Sequence, residues 1–153
     1  MGRTSAGIAM YRRRGNTIEL FLVHPGGPLY TGKDLGVWSI PKGEYTNGED
    51  PLTVARREIE EETGARADGE FIALGTVKQA GGKTVVVWAV EGDYDAGAIR
   101  SNTFVMEWPP KSGRRAEFPE VDRAEWFAPP EARQKLIPGQ VAFIDRLCEA
   151  LGI

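Results

Sequence analysis

The sequence has few of the residues that would indicate several common kinds of site. It has one cysteine, Cys148, which excludes an intramolecular disulfide framework. His24 is the only histidine and has no partner in the sequence pattern, so it is interpreted as structural. No stretch approaches the roughly 18 consecutive apolar residues of a membrane-spanning helix, and Met1–Tyr11 lacks the apolar segment of a secretory signal. These absences favour a reduced, cytoplasmic enzyme or binding module that does not enter a membrane.

Positive charge does not dominate either. The net charge is −3 and the isoelectric point is near 5.3, whereas a general nucleic-acid binder usually has a basic stripe. A protein of this composition that handles phosphates would do so locally, through a metal ion or a few basic residues. Because no repeat, low-complexity segment or linker divides the chain, we expect a single domain over residues 1–153.

The predicted elements follow residue type and periodicity. The strand-like runs are Ser5–Arg12, Ile18–His24, Val37–Ile40, Phe71–Gln79, Thr84–Glu91, Thr103–Trp108 and Arg123–Phe127. The helices are expected at Pro51–Thr63, Pro130–Leu136 and Gln140–Leu151. Pro25–Gly36 is interpreted as a loop, and Gly81-Gly82 as the turn of a hairpin. Strands on both sides of an early helix, with a helix at the end, predict an α+β fold with a mixed sheet covered by helices.

The early helix carries a group of carboxylates. Residues three and four apart share a helix face, so Glu58, Glu61 and Glu62 point the same way, opposite an apolar stripe that includes Ile59. Like charges held together repel one another, and a hard divalent cation relieves that repulsion through the oxygen ligands that Mg²⁺ prefers. Taken alone, a Glu-rich helix face is more often simply solvated, so the residues around the helix decide between the two interpretations.

Those surrounding residues form a known motif. The Nudix box is G-x5-E-x7-R-E-U-x-E-E-x-G-U, where U is a bulky aliphatic residue, and it is matched without a gap by Gly43, Glu49, Arg57, Glu58, Ile59, Glu61, Glu62 and Gly64. The one departure is Ala65 in place of a larger aliphatic residue, which concerns packing where the helix ends. At residue frequencies of about 7%, seven fixed identities arise by chance on the order of once in a million chains of this length. The chain therefore resembles the Nudix hydrolases, and the resemblance implies a Nudix-like α/β/α sandwich.

The resemblance also implies roles for individual residues. Glu58, Glu61 and Glu62 resemble the metal-binding carboxylates of the family, and the carbonyl group of Lys42 resembles a frequent further ligand. Arg57 resembles the residue that orients the glutamates by salt bridging. The implied cofactor is Mg²⁺ or Mn²⁺, which share oxygen ligands. The implied reaction is attack of water on a phosphorus atom within a nucleoside diphosphate that is linked to another group.

A further glutamate downstream is expected to act as general base or extra ligand. Many members of the family take it from a loop just before a Trp-containing strand, and Phe118–Trp126 has this form. Glu120 is the candidate, Glu117 is second and Glu58 is a third possibility, while an exposed acidic loop is the alternative. A base must reach the attacking water within hydrogen-bond distance, which the sequence leaves open. Glu49 resembles a structural member of the motif.

The candidates for substrate binding outside the acidic group are Lys42, Trp38, Arg114 and Arg115. Arginine presents a fork of donors that matches phosphate oxygens, so the basic loop around Arg114 is a candidate clamp for a polyphosphate, with a solvated loop as the alternative. Trp38 or Tyr30 is a candidate platform for a nucleobase, although a tryptophan beside an apolar strand is also typical of a core.

The leading prediction is a metal-dependent pyrophosphohydrolase that cleaves a phosphoanhydride bond of a nucleoside diphosphate linked to another moiety, of the nucleoside triphosphate or dinucleoside polyphosphate type. Two alternatives stay open. A non-catalytic nucleotide-sensing Nudix module usually loses one or more of the box glutamates, and this chain keeps them all. An RNA 5′-end pyrophosphohydrolase predicts a basic groove. The expected partner is a nucleotide or polyphosphate small molecule, with no nucleic acid other than an RNA 5′ end, and the sequence is compatible with a monomer or a homodimer.

Overall fold

The computed structural model describes residues 3–153, and most of its strands lie in the β-branched and aromatic runs of the sequence. The strands are β1 (Thr4–Arg14), β2 (Thr17–Pro25), β3 (Lys42–Glu44), β4 (Ile72–Lys78), β5 (Thr84–Glu91), β6 (Thr103–Glu107), β7 (Arg115–Pro119) and β8 (Val121–Phe127). The helices are α1 (Pro51–Thr63), α2 (Pro129–Lys135) and α3 (Ala142–Leu151). Within residues 3–153, no helix is long and apolar enough to cross a membrane.

The main sheet is mixed, and β1 lies at its centre. Its strand order is β4-β5-β1-β2-β8, with β3 also paired to β1. The β1–β5 pairing is parallel, whereas the other pairings are antiparallel. On its other edge β1 is shared between two partners, because Ser5–Gly7 pairs with β3 and Tyr11–Arg14 pairs with β2. The end of β2 and the start of β3 are therefore separate neighbours of one strand, and the candidate site lies beside them.

The sheet separates two hydrophobic cores, as the side chains of β1 illustrate. Successive side chains of a strand face opposite sides of the sheet. Ile8 and Met10 belong to the core that α1 covers, whereas Ala9 and Tyr11 belong to the core that α2 and α3 cover. Helices on both faces of a mixed sheet form the α/β/α sandwich that the resemblance implies.

Helix α1 begins and ends where the sequence predicts. The Asp50 carboxylate accepts hydrogen bonds from the backbone N–H and the hydroxyl group of Thr53, at 3.0 and 2.7 Å, and Pro51 occupies the first turn, where no backbone donor is required. Gly64 has a φ of 86°, and its N–H donates to the carbonyl of Glu60 at 2.7 Å, which closes the helix in the left-handed conformation that favours glycine. Both ends of the acidic helix are thus fixed by local hydrogen bonds.

Two predictions about strands are wrong. The predicted strand Val37–Ile40 forms only isolated bridges, between Val23 and Ser39 and between Trp38 and Leu136. The strand that follows it, β3, was not predicted and pairs with β1. The predicted basic loop before the last strand is in part β7, which pairs with β6 in a separate two-stranded sheet. The turn predicted at Gly81-Gly82 does join the antiparallel strands β4 and β5.

Candidate active site

Strand β3 and helix α1 pack closely against each other in the site. Gly43 lies directly against the side chain of Glu58, so a Cβ atom at position 43 would overlap the carboxyl group of Glu58. Gly43 is also paired with Ala6 of β1, which fixes the strand on the sheet. Because only glycine leaves this space free, the first residue of the motif determines where the Glu58 carboxylate can lie.

Helix α1 brings two of its carboxylates into a poorly solvated position. The side chains of Glu58 and Glu62 lie one turn apart and are 18% and 9% exposed, whereas that of Glu61 is 45% exposed. Burial, and then the negative charge of Glu58, raise the pKa of Glu62 to about 8. Burial, and then the charge of Glu61, raise the pKa of Glu58. Such shifts arise when carboxylates are desolvated beside one another, and an adjacent cation would reverse them.

Arg57 stands among the acidic residues of the motif. Its guanidinium nitrogens lie 3.6 Å from the Glu49 carboxylate and 3.9 Å from the carboxylates of Glu58 and Glu61. The Glu49 carboxylate in turn accepts a hydrogen bond of 3.0 Å from the backbone N–H of Thr46. At these distances Arg57 acts through its charge more than through short hydrogen bonds, in a position suited to the orienting role expected of it.

Lys42 lies at the start of β3, beside the buried carboxylates. Burial lowers the pKa of its ammonium group, and the negative charge of Glu62 opposes that shift. The two residues therefore stabilise each other's charged forms in a region of low solvent exposure. A half-buried ammonium group next to a cleft is suited to binding a phosphate oxygen, and that role stays a prediction for Lys42.

Glu117 lies within β7, whereas Glu120 lies between β7 and β8. The backbone of Glu120 is fixed by two hydrogen bonds of 2.9 Å, one donated by its N–H to Asn102 and one accepted by its carbonyl from Gly26. Its charge contributes to the raised pKa values of Glu58 and Glu62. Glu117 instead accepts a hydrogen bond of 3.0 Å from the hydroxyl of Thr103 across the β6–β7 pair. Of these two, Glu120 is the one that lies near the acidic residues of α1.

A cleft of about 410 Å³ opens between these elements, a size within the usual range for small-molecule sites. Acidic residues from two different elements meet basic and amide side chains in its lining, which includes Lys42, Glu62, Glu120, Tyr30, Gln79 and Lys83. One part of the cleft is therefore suited to a cation and another to an anion, which is the combination that a metal–polyphosphate complex requires.

The loop between β2 and β3 holds Tyr30 at the mouth of this cleft. His24 Nε2 donates to the carbonyl of Lys33 at 2.7 Å, and His24 Nδ1 lies 2.7 Å from the Asp122 carboxylate. A second attachment is made by Asp34, which accepts a hydrogen bond from the Trp38 indole. His24 is structural, as predicted, and its two partners lie 9 and 98 residues away in the sequence. Tyr30 is 39% exposed and lines the cleft, so its ring is accessible to a nucleobase.

The structure corrects the prediction that Trp38 binds substrate. Its side chain is fully buried, at 0% exposure. Its ring packs edge-on against Phe127 and His24, with centroid distances of 5.1 and 5.2 Å, and the Arg123 guanidinium lies 5.0 Å from the ring centroid. Because aromatic and charged groups already surround the ring, Trp38 belongs to the core and Tyr30 is the aromatic residue available at the cleft.

Arg114 and Arg115 are not brought to the cleft. They lie where the β6–β7 hairpin turns, and Arg115 pairs with Glu107 at the start of β7. Glu120 follows the other end of that strand, about 15 Å away at the usual rise of an extended chain. The arginines could therefore reach only a part of a ligand that extends well beyond the catalytic carboxylates.

The residues present fit a divalent cation in chemistry, although they are not already arranged around one. Within the described part of the chain, no three acidic or imidazole side chains converge closely enough to hold a metal ion as they stand. Glu58 and Glu62 are nevertheless oxygen donors with raised pKa values, and Glu61 lies within 3.9 Å of Arg57. Rotation of Glu61 from Arg57 would complete an all-oxygen set of the kind that Mg²⁺ binds.

Two polar residues that line the cleft, and a third that contacts one of them, were not predicted from the sequence. Gln79 and Lys83 flank the turn between β4 and β5, and Gln140 lies just before α3. Gln140 is fully buried, yet its side chain forms hydrogen bonds to Ile40, Ser39 and Gln79. A glutamine alone in a short turn carries no recognisable signal, because its partners are 61 to 101 residues away.

A model of the family described as the NUDIX domain matches residues 1–147. The chain belongs to the Nudix family. The family and the enzyme class predicted from the motif, a Nudix hydrolase, are therefore confirmed.

Two relatives show how far the likeness extends in sequence. The asymmetrical bis(5′-nucleosyl)-tetraphosphatase of Rattus norvegicus is 32% identical over 108 residues, which cover 62% of this chain and 69% of that protein. An RNA pyrophosphohydrolase of Rhizobium meliloti is 26% identical over 151 residues, covering 89% and 84% of the two chains.

Solved structures confirm the predicted α+β fold class of this Nudix chain. A C. elegans Ap4A hydrolase in a binary complex superposes with a TM-score of 0.66 at 19% identity, covering 98% of both chains. The NUDIX domain of Shewanella oneidensis NrtR, crystallised with ADP ribose, superposes with a TM-score of 0.67 at 15% identity, covering 99% of this chain and 89% of that one. At these identities the likeness establishes the fold alone.

Proposed function

We propose that this protein is a metal-dependent pyrophosphohydrolase that cleaves a phosphoanhydride bond in a nucleoside triphosphate or a dinucleoside polyphosphate. The observation that carries the proposal is the meeting of Glu62 and Glu120 with Lys42 and Lys83 in one cleft. Buried carboxylates with raised pKa values favour a cation beside them, and lysines favour phosphate oxygens. The identity with the rat tetraphosphatase supports the substrate type.

The residues of the chain divide the work between positioning the substrate and moving a proton. Lys42 and Lys83 bind oxygens of the polyphosphate as compact positive charges, and Tyr30 stacks on the nucleobase at the mouth of the cleft. Glu120 accepts the proton of the attacking water, since it lies near the acidic residues of α1 without being part of that helix. Arg57 orients Glu58 and restrains it from turning into solvent.

A divalent cation, Mg²⁺ or Mn²⁺, would be held by the α1 carboxylates of Glu58, Glu61 and Glu62. The Lys42 carbonyl would be an additional oxygen ligand. When bound, it neutralises negative charge on the phosphates and lowers the pKa of the attacking water. The chain contributes the rigid attachment of these ligands, because Gly43 packs against Glu58 and α1 is capped at both ends. A reduced, cytoplasmic setting is in keeping with the single cysteine.

The test is an incubation of the purified protein with Mg²⁺ or Mn²⁺ and a panel of substrates, with phosphate-containing products followed by chromatography. The panel holds nucleoside triphosphates, dinucleoside polyphosphates, ADP-ribose and triphosphorylated RNA, and a Glu61→Gln variant is treated in parallel. We expect metal-dependent cleavage of a nucleoside triphosphate or dinucleoside polyphosphate that the variant loses. Tight nucleotide binding without turnover would contradict the proposal and favour the nucleotide-sensing module.

RNA 5′ ends are a second candidate substrate, and one observation favours them. The Rhizobium meliloti RNA pyrophosphohydrolase aligns over 89% of this chain, although at 26% identity. A triphosphorylated RNA would place its terminal phosphates in the cleft and extend its chain toward the basic turn of the β6–β7 hairpin. Faster cleavage of triphosphorylated RNA than of free nucleotides would move the assignment to this substrate.

A further inference from the structure

We propose that Gln79 is a substrate-recognition residue of this cleft, held by the buried Gln140 so that its amide N–H groups face an oxygen of the substrate polyphosphate. Gln140 is then a positioning residue that acts only through Gln79. The inference builds on the proposed function, because it assigns a phosphate chain to the part of the cleft that Gln79 lines.

The orientation of Gln140 is set by a group that can only donate. Its Oε1 accepts a hydrogen bond of 2.9 Å from the backbone N–H of Ile40. The Nε2 end of the same amide must therefore point the other way, where it donates to the hydroxyl oxygen of Ser39 at 3.0 Å. That hydroxyl uses its own hydrogen on the carbonyl of Ile40, at 2.7 Å, and is free to accept. Gln140 is fully buried, so a reversed amide would leave buried polar groups unpaired, which is unfavourable.

The orientation of Gln140 determines that of Gln79. Gln140 Nε2 also donates to Gln79 Oε1 at 3.2 Å. If the Gln79 amide were reversed, two N–H donors would face each other across this contact. Gln79 Nε2 therefore lies on the side away from Gln140. Within residues 3–153, the hydrogen bonds of the fold leave Gln79 Nε2 without a protein acceptor, so its two N–H groups are available to a ligand.

Two further contacts hold Gln79 in place before any ligand arrives. Its backbone N–H donates to the carbonyl of Lys83 at 2.7 Å, which closes the turn between β4 and β5. Its side chain packs on Gly139, where an added Cβ atom would lie only 2.9 Å from the Gln79 Cγ atom. A group held in its binding conformation loses little entropy when the ligand binds. This favours a role for Gln79 in recognising the ligand over a role in merely lining the cleft.

The charges beside Gln79 indicate which acceptor it meets. Lys42 and Lys83 line the same cleft, and two ammonium groups beside amide donors form a surface that attracts an anion with several acceptor oxygens. A polyphosphate chain has this chemistry, whereas the edge of an uncharged nucleobase does not need the lysines. Tyr30, the accessible aromatic residue, also lines the cleft and offers the base a separate position.

The decisive change is Gln79→Glu, which keeps the shape of the side chain and its acceptor for Gln140. It replaces the N–H groups that face the substrate by a negatively charged oxygen. We expect KM for the nucleotide substrate to rise about 10- to 100-fold, since hydrogen bonds to charged groups are worth about 1.5–3 kcal/mol, with a much smaller change in kcat.

Gln140→Glu should also raise KM, because its new oxygen would attract the Gln79 N–H groups and so reverse the Gln79 amide. Gln134→Glu on the exposed surface of α2 adds the same charge and should leave KM unchanged.

A binding experiment separates this inference from the proposed function. Inorganic tripolyphosphate and a nucleoside are titrated calorimetrically, in Mg²⁺, into the wild-type chain and into the Gln79→Glu and Gln134→Glu variants. The inference requires tripolyphosphate to bind at least about tenfold more weakly to Gln79→Glu, with nucleoside binding unchanged. That result stands even if the protein hydrolyses no nucleotide. Cleavage of nucleotides with equal tripolyphosphate affinity in all three proteins would overturn the role of Gln79 and keep the hydrolase. Weaker nucleoside binding alone, or no binding of tripolyphosphate to the wild type, would also overturn it.

Discussion

The two walls of the cleft are built in different ways. The acidic wall comes mainly from one segment, in which helix α1 repeats its carboxylates every three or four residues and Gly43 packs against Glu58. The opposite wall is assembled from the β4–β5 turn and the segment before α3, through hydrogen bonds that span 61 and 101 residues. A reaction that all family members share can reside in a local motif. Selection of one substrate can reside in contacts that only the folded chain brings together.

The largest expected effect comes from the acidic wall. Glu58→Gln keeps the size of the side chain but removes a charged ligand candidate, so we expect kcat to fall on the order of a thousandfold, which corresponds to about 4 kcal/mol of lost transition-state stabilisation. Glu60→Gln on the same helix is the matched control, because Glu60 points outward and pairs with Arg66 at 3.4 Å. Equal activity of the two variants would mean that the acidic wall is only a solvated helix face.

Gly43→Ala tests whether the strand positions that wall. The new methyl group would displace the Glu58 carboxylate, and a shift of about 1 Å in a catalytic group can cost about a hundredfold in rate. Gly97→Ala is the control, since its Cβ atom would approach only the exposed Asp95 carboxylate, at 3.3 Å. Steady-state kinetics with circular dichroism of both variants separates lost activity from lost folding. Unchanged kcat in Gly43→Ala would show that Glu58 tolerates displacement.

The same contrast explains what the sequence could predict. The ends of α1, the caps at Asp50 and Gly64 and the shared face of the glutamates follow from local rules of helix geometry. The strand β3 was missed because its three residues have no β-rich composition and form a strand only by pairing with β1. Local propensity is a weak guide where pairing with a distant strand decides the structure.

Side-chain roles outside the motif were harder to predict for the same reason. Trp38 and Tyr30 are both aromatic residues near the motif, and composition does not distinguish them. The fold buries Trp38 between β2, β8 and α2 and leaves Tyr30 at the mouth of the cleft. Gln140 has no helical or strand periodicity that marks it, and only its burial beside Ile40 gives it a role.

A third prediction concerns stability and the charge of the acidic wall. In the metal-free protein, Glu62 keeps its proton up to about pH 8, whereas in the unfolded chain it releases the proton near its ordinary value of 4.5. The unfolded state therefore binds fewer protons between these values, and the free energy of unfolding falls as pH rises through this window. Water that enters the cleft partly solvates the ionised Glu62, which reduces the size of this effect. We therefore expect the free energy of unfolding to fall by an amount on the order of 2 kcal/mol between pH 5 and pH 8.5.

Urea unfolding with a chelator present, measured across that pH range, checks this expectation. Glu62→Gln carries no ionisable group at this position and should give a flatter profile, whereas Glu60→Gln should follow the wild type. Added Mg²⁺ should restore stability at the alkaline end, where the ionised carboxylates bind it. Parallel profiles for the wild type and Glu62→Gln would mean that Glu62 already ionises normally in the folded chain.

The smallest effect is expected outside both walls, at the turn of the β6–β7 hairpin. Replacing Arg114 and Arg115 by alanine removes two exposed positive charges that the fold places roughly 15 Å from Glu120. For a nucleoside triphosphate we expect kcat/KM to change less than about threefold, because exposed charges at this distance are largely screened by salt. For a triphosphorylated RNA the extended chain can reach the hairpin, so the same variant should bind the RNA more weakly, and its binding should depend less on salt concentration.

Competition between the two substrates, run at two salt concentrations, compares these effects in one experiment. A large fall in kcat/KM for free nucleotides would support the arginines as a polyphosphate clamp. Equal falls for both substrates would contradict a preference for RNA that depends on the hairpin.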